Sequence, residues 1–111
     1  IKRFVNEMVG SRENIFLSYE AIQIEVSFDS EPINFTYREK INSQELKPIQ
    51  RISWAITAWK SKDYITNYET GKCATYSGNI KYIEIGKLAS HVIKVQEDLE
   101  IARLLYNFVN E

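Results

Sequence analysis

Between Ile22 and Phe28 apolar and polar residues alternate without a break. Ile22, Ile24, Val26 and Phe28 are interleaved with Gln23, Glu25 and Ser27. A period of two belongs to a strand with one dry and one wet face, and a helix cannot sort such a pattern onto one side. The cluster Asp29-Ser30-Glu31-Pro32 then reads as a turn. Beyond it Ile33, Phe35 and Tyr37 alternate with Asn34, Thr36 and Arg38. Two alternating runs joined by a short polar break predict an antiparallel hairpin. Upstream, Ile15, Leu17 and Tyr19 alternate in the opposite phase, so a bulge or a separate strand is expected near Ala21-Ile22.

The remaining chain supplies partners for that hairpin. Ile1, Phe4, Val5 and Met8 recur at helical spacing before Gly10, which predicts a short N-terminal helix. Residues 48–60 fit two periods. A helix would use Ile49, Ile52, Ile56 and Trp59; a strand would use Ile52, Trp54, Ile56 and Ala58, and the β-branched content favours the strand. Tyr64, Thr66 and Tyr68 alternate, as do residues 80–85, and Leu88 to Val95 reads as a further strand. At the end, Asp98 suits a helix N-cap, and Ile101, Leu104, Leu105 and Phe108 form an apolar stripe expected to pack on the sheet. The expected architecture is α+β: one antiparallel sheet, or a partly closed barrel, with a short N-terminal helix and an amphipathic C-terminal helix. A length of 111 residues suits a single globular domain over 1–111. Because the first residue is Ile1, we expect the N-terminus to be incomplete.

Composition excludes several classes. With 44% hydrophobic and 26% charged residues the chain is neither disordered nor of low complexity. The stretch Ile52–Trp59 lacks charge but is far shorter than the ~20 residues of a membrane span. Fourteen Lys and Arg against fifteen Asp and Glu argue against a general nucleic-acid binder. One Cys cannot form an internal disulfide, and one His cannot build a His-rich metal site. No signal-peptide pattern is present, which leans towards the cytoplasm without fixing the compartment.

No catalytic constellation or cofactor motif survives inspection. Gly71-Lys72 lacks the flanking residues of a phosphate loop, since Thr66 and Cys73 stand where Gly and Ser or Thr are needed. Glu84 and Lys87 sit three apart around Gly86, the wrong spacing for a metal-dependent nuclease. Cys73 and His91 are a thiol and an imidazole with nothing in the sequence to bring them together. Asn34-Phe35-Thr36 fits the glycosylation pattern but falls inside the hairpin.

Charge is segregated. From Glu13 to Tyr37 there are five acids and no Lys or Arg; from Arg38 to Lys62 there are six bases and two acids. An acidic hairpin followed by a basic segment either attracts a basic partner or pairs within the fold. The expected function is a small non-catalytic protein-binding module, of inhibitor or immunity type, docking a basic partner through the hairpin. The candidate contact residues are Glu20, Glu25, Asp29 and Glu31, with Trp54 as an exposed aromatic anchor. The alternatives are a β-barrel module for a small ligand or lipid headgroup, and a domain of a larger assembly. Self-association is not decided by the sequence.

Overall fold

The computed structural model describes residues 1–110. In chain order they form α1 (Lys2–Met8), β1 (Ile15–Ile22), β2 (Ser27–Phe28), β3 (Glu31–Pro32), β4 (Ile49–Trp59), α2 (Ser61–Glu69), β5 (Ile80–Glu84) and α3 (Gln96–Val109). The class is α+β. β1 is the central strand of a three-stranded sheet ordered β4-β1-β5. β4 runs antiparallel to it and β5 parallel. The sheet is therefore mixed rather than purely antiparallel, and it does not close into a barrel.

β1 is central because its apolar residues fill both faces. Phe16 meets Phe4 of α1 and Ile83 of β5, and Ile56 and Ala58 of β4 pack against this cluster. On the opposite face lie Ile15 and Leu17, both fully buried. Trp59, paired with Ile15, stacks edge-on against Tyr64 of α2 at 5.4 Å. Its indole donates to the Thr75 carbonyl, which draws the 73–77 segment over this face.

The phase slip expected near Ala21-Ile22 is absent; β1 runs unbroken, and the irregularity lies in β4. Leu17 pairs with Thr57 but Tyr19 pairs with Ile52, so residues 53–56 stand opposite Ser18 alone. That is three more residues than a regular ladder holds, an odd number, and it exchanges the faces. Ile52 therefore shares a face with Tyr19, whereas Ala58 shares one with Phe16. Ser18 and Ser53, both buried, bridge the gap with their Oγ atoms 2.9 Å apart. Ile56 N–H donates to Ser18 Oγ at 3.0 Å, replacing the ladder partner that the bulge removed. Trp54 sits on the bulge with φ of 60°.

The long hairpin expected over residues 22–37 shrinks to two paired residues on each side, Ser27–Phe28 and Glu31–Pro32. Its turn is Asp29-Ser30, both at positive φ, the geometry that matches the twist of a two-residue connection. Side chains take the backbone groups that a longer ladder would have used. Asn34 accepts from Val26 N–H and donates to the carbonyls of Ile24 and Lys47. Gln23 donates to the carbonyls of Gln44 and Leu46. Because the Asn34 amide is committed three times, a glycan there would dismantle the base of the arm.

Two segments expected as strands are not. Residues 61–69 are helical, with Asp63 in the first turn accepting from Asn14 Nδ2 at 2.7 Å. The helix ends in a Schellman motif: Gly71 N–H donates to Tyr68 and Lys72 N–H to Asn67. Residues 88–95 contain a turn closed on Gly86 and Lys87, and then a stretch with no strand pairing. The N–H groups of Lys94 and Val95 are taken by the Asp98 carboxylate, at 2.9 and 3.1 Å. Donors spent on a cap are lost to a ladder. Asp98 is thus the third residue of α3 reaching back, not the N-cap itself.

The expectation that α3 packs its stripe on the sheet fails. No residue of α3 is buried, and the helix makes no extended contact with any other helix or strand. The radius of gyration is 17.3 Å, against about 13 Å for a compact chain of this length.

Candidate protein-interaction surface

Glu20 lies on β1 directly opposite Arg51 of β4. The guanidinium donates from Nη2 at 2.6 Å and from Nε at 3.1 Å to one carboxylate oxygen of Glu20, and also reaches the Ser90 carbonyl. Glu25 accepts from Lys40 Nζ at 2.6 Å and from Ser43 Oγ at 3.1 Å. These bonds hold the Glu25 carboxyl below its ordinary range, Lys40 first, then its own backbone N–H and Ser43. Two of the five acids therefore meet bases from the following segment inside the fold. The charge segregation seen in the sequence is in part consumed locally.

Asp29 and Glu31 occupy the exposed turn and tip of the arm. Beside them Phe28, Ile33 and Tyr37 are exposed. Tyr37 is steadied by Phe35 at 5.7 Å and by its hydroxyl donating to the Ser30 carbonyl. The arm tip is thus as apolar as it is acidic. The sequence signal for this was the same alternation that predicted a dry face; the short arm leaves that face without a cover.

Trp54 is 43% exposed and tilts over Tyr76, ring centres 6.2 Å apart. The strand reading of β4 is correct, but the bulge turns Trp54 outward. Tyr76, not among the expected contact residues, reaches it through the turn that follows Cys73. No single surface gathers all five expected residues: Glu20 and Glu25 are held in separate ion pairs, Asp29 and Glu31 share the arm, and Trp54 lies on the bulge of β4.

The remaining chemistry stays dispersed. Cys73 is exposed at a turn after α2, whereas His91 Nε2 engages the Asp98 carbonyl at 2.8 Å. Clefts among the described residues are open troughs of about 300–550 Å³ with mixed polar and apolar linings. One, against Tyr19, Tyr82 and Gln50, is an uncovered patch of sheet. No helix among the described residues is long and apolar enough to cross a membrane. No family model, no curated protein and no solved structure matches this chain.

Proposed function

We infer that the chain is a non-catalytic protein-binding module, a subunit that completes its apolar surface by docking. One observation carries the reading. The accessible surface is 8744 Å², whereas a folded monomer of this mass exposes about 6,300 Å². Large apolar side chains are exposed along the chain, among them Phe28 and Ile33 on the arm and Leu104 and Phe108 on α3. Apolar exposure beyond what a compact monomer shows is a mark of interaction surfaces. The acidic residues take a lesser part than the charge pattern suggests, because Glu20 and Glu25 already have partners. Asp29 and Glu31 at the arm tip remain to orient a basic partner.

Photo-crosslinking side chains placed at Phe28 and Phe108, with Lys62 as control, test the reading in source cells. Discrete protein adducts at either apolar position, and none at Lys62, are expected. Absence of adducts at both apolar positions would overturn it.

A further inference from the structure

We propose that the outer edge of β5 takes up an extended peptide segment of another protein as a fourth strand of the sheet. The proposal rests on the protein-binding reading and names the form of the partner and one of its side chains.

The backbone selects the form. In a parallel ladder alternate residues of a strand bond the neighbour, and those between them point the other way. Asn79 accepts from Ile15 N–H, and Ile85 N–H donates to the Tyr19 carbonyl. The odd-numbered residues therefore bond β1, and Ile80, Tyr82 and Glu84 turn their N–H and C=O groups outward. β5 is the last strand on its side of the sheet. None of those outward groups meets a hydrogen-bond partner among the described residues. Donors and acceptors that repeat every second residue match an extended chain; a helix spends its own groups internally and cannot answer them.

The other edge of the sheet is guarded. β4 begins just after Pro48, and its ladder is broken by the bulge at residues 53–56; both features hinder the addition of a strand. β5 has five residues, no Pro and no bulge. Lys is a residue type that screens edges, but Lys81 lies on the α1 side, where its Nζ donates to the Glu7 carbonyl at 3.2 Å. Tyr82 is drawn back towards β1 by Tyr19, ring centres 6.0 Å apart. The edge is left open.

Charge selects the side chain. Glu84 is exposed and has no ion pair among the described residues. Lys47, across the trough of about 550 Å³ that Tyr82 and Glu84 border, does not pair with it. A Lys or Arg directly opposite Glu84 in an added strand gains that partner. A second copy of β5 supplies none. With the outward groups in register, two-fold pairing sets Ile80, Tyr82 or Glu84 itself opposite Glu84, and never a base.

Random seven-residue peptides displayed on phage, panned against the purified full chain, test this, with the enriched peptides then synthesised. They should carry a Lys or Arg, and Glu84→Lys should exchange that preference for Asp or Glu. Tyr82→Pro removes one outward N–H and no bond to β1, a change that edge strands tolerate. It should weaken binding at least ~10-fold relative to Tyr82→Ala, which keeps the N–H. Methylating one alternate set of the peptide's backbone nitrogens should abolish binding, and methylating the other set should not. In the free chain the amides of Ile80, Tyr82 and Glu84 should exchange faster than those of Lys81, Ile83 and Ile85, and bound peptide should slow the first set. Slow exchange of the first set in the free chain, binders that leave it unprotected, or no binders at all would overturn the proposal. Protection that appears on concentrating the chain alone would overturn it in favour of a second copy. Adducts at Phe28 or Phe108 in cells alongside any of these results would keep the binding module and reject only the added strand.

Discussion

Gly71 and Gly78 differ in what an added methyl group would meet. At Gly71, with φ of 78°, a Cβ finds open space, so Gly71→Ala costs only the left-handed backbone, about 1 kcal/mol. At Gly78, with φ of 134°, a Cβ lies 3.2 Å from Asn14 Cβ. Asn14 also accepts from Asn79 N–H and donates to Asp63. Gly78→Ala should therefore cost about 2–3 kcal/mol, and urea midpoints of the two variants will rank them. Asp98 sets a pH dependence. Its carboxyl is lowered below the ordinary value by the Lys94 and Val95 N–H groups, in that order. A lowered folded value means the cap is fully present above the unfolded value of 3.8 and is lost as pH falls through the lowered one. Amide exchange at residues 94–98 should accelerate on acidification below that window relative to the sheet, and Asp98→Asn should flatten the difference. Local turn chemistry was legible at this scale: Asp29-Ser30 turns the chain as its residue types predict. The bulge at Trp54 was not, because what makes it tolerable is Ser18, 35 positions away from Ser53.

At the scale of elements, burial separates β1 from α3. Leu17 is completely buried, so Leu17→Ala should cost about 2–5 kcal/mol. Leu104→Ala, at a side chain 70% exposed, should stay within about 0.5 kcal/mol. Equal losses in chemical denaturation would contradict the exposed placement of α3. Ser18→Ala leaves the Ile56 N–H without its acceptor and should cost about 1–3 kcal/mol by the same measurement. The periodicity of β4 was readable as a strand because its β-branched residues outweighed the competing helical stripe. α2 was misread because Tyr64, Thr66 and Tyr68 alternate in type, while the helix is fixed from outside, by Asn14 at its start and Gly71 at its end. The stripe of α3 was readable as a helix; where it packs was not, because amphipathicity says that a face must be covered and is silent on by whom.

For the molecule as a whole, the α+β class followed from counting periods. The parallel direction of β5 did not, since alternation looks the same whichever way a strand runs. The segregated charges suggested a docking face; the fold spends part of them on Arg51 and Lys40.

The position of β1 also carries a cost during synthesis. Its residues 15–19 pair with 80–84, some 65 positions later. At ~5–20 residues per second, β1 waits for roughly 3–13 seconds before its second neighbour leaves the ribosome. In that interval an apolar strand, Ile15-Phe16-Leu17, holds one edge of unpaired amides open to any other nascent chain. The helix at the end can do nothing to shorten the wait, because it never covers the sheet. Yield in cells should therefore follow chaperone supply more closely than it follows the equilibrium stability of the finished fold.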